Sequence, residues 1–492
     1  MEPQSATMPV VRPRLRRRWW STGAKIVLGV AVVGVLAFAG FWWWSQRRLE
    51  AAWNEAVKEA ELDLPRWRLM ELEEDRPKIP DAENSALHII ALRDKGGQVA
   101  VAGAADYDSI FGKLRPTVQL NDQQADLIRQ ELKRIAKPLE EARRLKDMPR
   151  GRFPITYSDD GIKTPLTEHA GLRQIGDWLQ HDAMLLADEG KIDLAIESCQ
   201  AMVHAGRAME GDLFFICFLI RIVQQRDAIT ALERVLTQGE ASEKTLQAMQ
   251  ATLERDVETS GWLALIRGER ALCHHLFENV RLGKANLSSM QAQVRTGTFD
   301  AWLVFDTFPS LMLKYYPEHL RTMNRVVDIA KLPIHERGSK LAEFEREWIL
   351  ENEQNRNLVS VHMLPALQSI HTSEARSQGL LRATAVALAC ERYRLKHRDY
   401  ENAWPASLDV LVKEKLIESI QLDPVDGQPL RYRRTNEGIV VYSIGPDGKD
   451  DQGKIDRAST QTDPGIDIGF RLWNVAQRRQ PALPPVQLKD EE

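Results

Sequence analysis

The densest set of side chains able to do chemistry lies near the C-terminal end. Asp447, Asp450, Asp451, Asp456, Asp463 and Asp467 share one short stretch with Lys449, Lys454 and Arg457, so six acids face three bases and leave −3. Carboxylates at this density suit a hard cation. Calcium takes roughly six to eight oxygens, which side-chain carboxylates and turn carbonyls can supply. The EF-hand pattern is excluded, because Lys449 stands where a second Asp or Asn is needed. The ligand set read here is Asp447, Asp450, Asp451, Asp463 and Asp467, with Ca2+ in a structural role. Such an ion would close the loop by cancelling carboxylate repulsion. The plain alternative is a solvated polar loop.

His274 and His275, beside Glu269 and Arg270, invite a catalytic or metal reading. A metal pair on one helix face needs i, i+4 spacing, whereas adjacent residues point about 100° apart. His181 and His204 fall on neighbouring expected helices and could meet across them. No G-x-S-x-G, Walker A, G-x-G-x-x-G or protein-kinase pattern occurs, and Gly283-Lys284 lacks the preceding glycine of a P-loop. A non-catalytic protein is therefore expected. The alternative is a hydrolase or ligand-binding enzyme with its site near His181, His204 or His274. Cys199, Cys217, Cys273 and Cys390 are far apart in apolar helical contexts, with no C-x-x-C and no zinc spacing. They read as core residues; a disulfide stays open in an oxidising compartment.

The elements that must position the acidic stretch are spelled out around it. Ala383, Val386, Cys390, Tyr393 and His397 recur at steps of three and four, which predicts a helix over 374–397. Leu381, Ala385, Leu388 and Leu395 add a neighbouring stripe, so the first half should be buried on several sides. Glu391, Arg392, Arg394, Lys396 and Arg398 should turn the second half to water. Pro405 bars any continuation. Asp423-Pro424-Val425-Asp426-Gly427 is dense in turn residues. Strands are expected at 430–433 and 439–444, separated by Asn436-Glu437-Gly438, and a third at 466–470 beyond Gly445-Pro446-Asp447-Gly448. A long helix on a small antiparallel sheet is a sound α+β unit.

Trp404-Pro405, Leu408, Leu411, Asp423-Pro424, Gly427, Pro429-Leu430, Tyr432, Val441-Tyr442-Ser443, Gly445, Asp447-Gly448 and Asp467-Ile468 occur in that order. This set resembles the globular domain of the major pseudopilin of type II secretion systems and covers about a fifth of the chain. The resemblance implies a calcium-binding loop after the second strand, with Asp447 and Asp467 as the matching residues. It also implies protein partners in the envelope or the secretion machinery. Two departures stand out. No Phe-Thr-Leu-Ile-Glu-like segment opens the long helix or the N-terminal apolar run, so the chain is not expected to polymerise as a pilin. The stretch between Asp447 and Asp467 is also longer than the family's and differently composed. The whole layout is similar to uncharacterised bacterial membrane-anchored proteins with a helical body and this kind of tail.

The chain has 492 residues and a net charge of −4, which gives no global argument for nucleic-acid binding. Residues 26–44 carry no charge and are long enough to span a bilayer. Trp19-Trp20 and Trp42-Trp43-Trp44 suit the two interfaces. Arg12, Arg14, Arg16, Arg17, Arg18 and Lys25 precede the span, and Arg47, Arg48 and Lys58 follow. The positive-inside rule then places the N-terminus in the cytoplasm and the bulk in the periplasm, on a single-pass inner-membrane anchor. A cleaved signal peptide would have a shorter apolar core and a small-residue site after it. A buried soluble helix is at odds with the arginine cluster.

The expected layout is a basic cytoplasmic tail (1–25), a transmembrane helix (26–44), a juxtamembrane helix and linker (45–80), an all-α helical body (81–370), the pseudopilin-like α+β domain (374–475) and a disordered tail (476–492). The fold class is mainly α. The juxtamembrane stretch reads as a single helix over 47–74, and Asp81 reads as the N-cap of the next helix. Asn121 and Gln124 read as a capping box. Body helices are read at 168–188, 194–209, 213–236, 244–258 and 262–281, with short connections that imply antiparallel neighbours. Phe299, Trp302, Phe305, Phe308, Tyr315 and Tyr316 make an aromatic stretch that is either a core element or an apolar groove.

Overall fold

A computed structural model of the chain describes residues 22–96, 111, 114–285, 309–355, 360, 363–364, 366–398, 403–455 and 466–485. It divides into two compact units, 1–55 and 56–492. Among the described residues there are fourteen α-helices and a three-stranded sheet near the C-terminus, so the protein is mainly helical.

The described part of the first unit is residues 22–55, which belong to α1 (Thr22–Asp63). The side chains of its most apolar stretch are uncovered, with Val27, Val33, Phe38 and Phe41 all exposed. At about 1.5 Å per residue, 26–44 extends roughly 28 Å, close to the thickness of a hydrocarbon core. Arg47 lies over Trp43 at 4.2 Å and Arg48 over Trp44 at 4.7 Å. Such pairs combine an apolar ring with a charged tip and suit the edge of a bilayer. Among the described residues this is the one helix long and apolar enough to cross a membrane.

The expected single helix over 47–74 is corrected. Helix α1 ends at Asp63, because Pro65 disfavours helical backbone at the residue before it. A separate α2 (Leu69–Asp75) follows. Asp81, expected as an N-cap, opens a 3-10 turn instead, and Asn84 Oδ1 accepts from Ala86 N at 3.1 Å at the head of α3 (Ser85–Gly96). The capping box at α4 (Asp122–Arg134) is present in both directions: Gln124 N donates to Asn121 Oδ1 at 2.9 Å and Asn121 N to Gln124 Oε1 at 3.0 Å.

The body continues through α5 (Ala136–Arg143), α6 (Ala170–Asp188), α7 (Ile192–Arg207), α8 (Phe215–Gln238), α9 (Glu243–Glu258) and α10 (Trp262–Arg281). Helices α6, α7 and α8 pack on one another. Gly190 makes the tight α6–α7 connection possible through its φ of +77°. Then come α11 (Pro309–Ala330), α12 (Ile334–Asn355), α13 (Leu367–Lys396) and the short α14 (Leu408–Lys413).

The sheet has the order β1 (Arg431–Arg434), β2 (Gly438–Ser443), β3 (Ile468–Trp473), antiparallel throughout. In register, Tyr432 faces Val441 and Val441 faces Phe470. Helix α13 packs on β2 and β3 and also on α8, α9 and α12. One core runs through all of these, from Leu232 and Leu253 through Leu388 to Val441 and Phe470. The first half of α13 is covered on nearly every side, as its composition predicts, with Ala383 through Cys390 all buried.

The second half departs from expectation. Glu391 and Arg394 do not reach water: Glu391 is fully buried and Arg394 is 7% exposed. Burial alone would push the Glu391 carboxyl up, but Arg478 and Arg394 hold it below the usual range. Arg478 reaches it from beyond the sheet. Residues 476–485, expected to be disordered with the rest of 476–492, are fastened to the body. Arg479 N donates to Thr237 O at 3.0 Å, Gln480 N to Thr117 O at 2.8 Å and Asn121 Nδ2 to Leu483 O at 3.1 Å. Residues 486–492 lie outside the described residues.

Candidate functional site

The acidic loop leaves β2 through a turn at 445–448, where Gly445 and Gly448 both have positive φ. It then folds back over the outer face of β2, which is why that strand is buried along its whole length. Asp467, one residue before β3, holds the fold-back. It is 1% exposed and accepts from Asp451 N at 3.2 Å and Gly453 N at 2.6 Å. Burial pushes its carboxyl up, the two amides pull it back, and the charges of Asp450 and Asp451 push it up again. Asp450 Oδ1 accepts from Tyr442 OH at 3.1 Å and Gln452 N at 2.8 Å. Burial and Asp450 lift the Tyr442 phenol to about 12. Asp447 Oδ1 accepts from Lys449 N at 3.2 Å. Asp451 Oδ2 is buried with no hydrogen-bond partner. Asp463 and Asp456 lie outside the described residues.

This donor set offers only hard oxygens, and Asp451 Oδ2 is an acceptor with nothing to accept. Both oxygens of Asp467 already hold amides. The described aspartates do not bring three ligand atoms together; among the described residues only a different trio does so. Beside the loop, a cavity of about 370 Å3 lies where α8, α13 and the start of β3 meet. Its lining includes Ile222, Arg226 and Thr230 of α8, Arg376 and Leu380 of α13, and Asp467.

The turn before β1 is organised by a residue to which the sequence assigns no role beyond the motif. Asp423 is fully buried. It accepts from Ser443 Oγ at 2.7 Å, Val425 N at 2.9 Å, Ile444 N at 3.0 Å and Arg431 Nη1 at 2.6 Å. One carboxylate thus ties the turn to the end of β2.

The histidines singled out in the sequence each take a different partner. His181 Nδ1 is 3.9 Å from Glu131 Oε2. His204 Nδ1 bonds Leu145 O at 3.1 Å. His274 Nδ1 bonds Tyr316 OH at 2.5 Å and the ring lies 4.6 Å from Trp67. Burial is the leading cause that lowers His181 and His204 to about 4 and His274 to about 3. His275 turns away from its neighbour toward Ser158 O, at 3.3 Å. Glu269 accepts from Phe215 N at 3.2 Å, and burial lifts it to about 7. Arg270 pairs with Asp63 at 3.0 Å. Tyr316, from the aromatic stretch, is a buried core residue with its ring centroid 4.7 Å from that of Phe277, the two rings tilted; Phe299, Trp302, Phe305 and Phe308 lie outside the described residues. All four cysteines are buried and free.

A second polar cluster sits inside the body. Asp212 receives Arg76 on Oδ1 and lies 3.0 Å from His169 Nε2 through Oδ2. Cys217 completes a trio whose ligand atoms all lie within 4.8 Å of one another. Arg76 also pairs with Glu73 at 3.0 Å, which takes Arg152 at 2.6 Å and Tyr157 OH at 2.9 Å. No spacing rule reaches this cluster. Arg76, His169 and Asp212 are brought together by packing alone, and the one local signal, Asp212 five residues before Cys217, matches no metal motif.

The chain matches no family model, no curated protein and no solved structure.

Proposed function

We propose that this protein is a non-catalytic, single-pass scaffold of the cell inner membrane, with a cytoplasmic N-terminus and a periplasmic bulk. Its helical body presents a pseudopilin-like layer to protein partners in the envelope or the secretion machinery, and calcium pins the acidic loop of that layer. The observation that carries this reading is the order of elements in the tail: α13 beneath an antiparallel β1-β2-β3, with the loop between β2 and β3 drawn in by Asp467. A covered helix and a sheet over one core suit presentation of a rigid surface better than turnover. Fold alone does not give function, so the support is the combination of anchor, layer and loop.

The test uses the intact chain in detergent, because α13 shares its core with the body. A ligand that binds only the folded state at about a hundred times its dissociation constant stabilises it by about 2.7 kcal/mol. Calcium is therefore expected to raise the melting temperature by several degrees, and magnesium much less. Asp451→Ala removes a buried oxygen that has no hydrogen-bond partner and a charge that works against Asp467, so it should not lower the calcium-free melt and should abolish the shift. No shift in the parent would remove the metal. Crosslinking of the intact protein in its membrane, followed by purification, should yield discrete adducts with envelope proteins; their absence would remove the scaffold.

A further inference from the structure

We propose that His169, Asp212 and Cys217 form a binding site for one divalent transition-metal ion, with zinc the best match, inside the helical body. The trio supplies one nitrogen, one oxygen and one sulfur. Imidazole with thiolate selects zinc over calcium or magnesium, which want oxygens. His169 Nε2 and Asp212 Oδ2 are 3.0 Å apart, and Cys217 Sγ lies within 4.8 Å of both. Ligands of tetrahedral zinc stand roughly 3.3–3.8 Å from one another. The trio therefore needs only a slight opening at its tightest edge.

Each ligand is held from behind. Asp212 spends Oδ1 on Arg76 and leaves Oδ2 for the trio, the kind of outer contact that orients a metal-binding carboxylate. His169 stacks on Phe153 with ring centroids 4.3 Å apart, and its Nδ1 is buried with no hydrogen-bond partner. Its polar contact is thus directed at Asp212. Cys217 lies in the first turn of α8, where the helix N-terminus favours an anionic sulfur. Gly211, with φ +76°, turns the chain just before Asp212. All three residues are buried, so the site would be shielded from bulk solvent.

On binding, the Cys217 thiol proton leaves to solvent and the sulfur–metal bond replaces the S–H bond. The ion's two charges are met by the thiolate and the Asp212 carboxylate, and His169 binds as the neutral imidazole. Three protein ligands leave a fourth position for water. Without an ion, the same residues form a His169–Asp212 hydrogen bond flanked by a thiol, and the experiment must separate the two states.

The full chain, produced in medium supplemented with zinc or cobalt and purified in detergent without chelator, should carry about one metal per chain. The cobalt form should show thiolate-to-cobalt charge-transfer absorption and tetrahedral d–d bands. Cys217→Ser should lose the charge-transfer absorption, and His169→Gln should bind at least about tenfold more weakly. Cys199→Ser, which removes a buried thiol elsewhere, should keep the spectrum. A parent without metal or without the thiolate absorption overturns the proposal, as does absorption that survives in Cys217→Ser. If Cys217→Ser does not fold, the parent spectrum and His169→Gln decide the matter.

Discussion

Gly453 shows how much one missing methyl can matter to the acidic loop. Its φ is +77°, and a Cβ there would stand 2.7 Å from Val440 Cγ1 and 3.2 Å from Tyr442 Cε1. Gly448 has nearly the same backbone, φ +70°, but nothing within 4 Å of where its Cβ would be. The pair separates backbone strain from crowding. Gly448→Ala is expected to cost about 1–2 kcal/mol for the left-handed conformation alone. Gly453→Ala should cost that and a further ~1–3 kcal/mol, because the loop cannot lie on β2 without displacing Val440. Denaturant midpoints of the two variants in the intact protein check this; equal losses would mean that the loop does not rest on the strand. At this scale the sequence is only partly readable. Asp467 stands out because it sits before an alternating strand in an acidic stretch. The four bonds of Asp423 have no local signature, since three of them reach residues more than five positions away. His169 and Asp212 are hidden for the same reason.

Helix α13 carries the fold, and its burial turns a charged residue into a clasp. Glu391 has no access to water, and it is met by Arg394 at 2.7 Å and by both guanidinium nitrogens of Arg478 at 2.9 Å. A buried carboxylate deprived of a partner costs far more than the pair contributes. Arg478→Ala should therefore destabilise the intact chain by about 3–5 kcal/mol, and it should open 474–485 to limited proteolysis. Replacing both members, with Glu391→Leu and Arg478→Met, should cost much less than the sum of the single changes, because no charge is stranded. Additive losses in such a cycle would show that the clasp is not a coupled unit. The helix itself is legible from its three-four apolar spacing, and each strand lies within a few residues of its expected place. Its start at Leu367 is not. Ala366 at the N-cap offers no side-chain acceptor, so no local signal marks the end; Leu367 and Ile370 are helical because they pack in a second core with Trp262 and Phe344. Glu391 departs from its pattern for a related reason. A charged side chain in an amphipathic pattern points to water unless a distant arginine covers it, and Arg478 lies 87 residues away.

Across the whole molecule the question is which side of a membrane the body occupies. The arrangement of charge is one-sided: Arg12, Arg14, Arg16, Arg17, Arg18 and Lys25 stand before the apolar run, with only Arg47, Arg48 and Lys58 close behind it. Positive residues near a span are retained on the cytoplasmic side, so the proposed topology puts the body outside. The buried thiols are compatible with an oxidising compartment. Burial pushes Cys199, Cys273 and Cys390 up, so these three are held as unreactive thiols. The prediction is a topology. A phosphatase that is active only after export, fused after residue 485, should be active, and a fluorescent protein that matures only in the cytoplasm should be dark at the same place. Replacing Arg14, Arg16, Arg17 and Arg18 with glutamine should make the fusions mixed, because two basic residues (Arg12 and Lys25) then precede the span and three follow it. A bright fluorescent fusion on the parent chain would put the body in the cytoplasm. The envelope partners proposed for the α+β layer would then be out of reach, while the calcium and zinc measurements would keep their meaning.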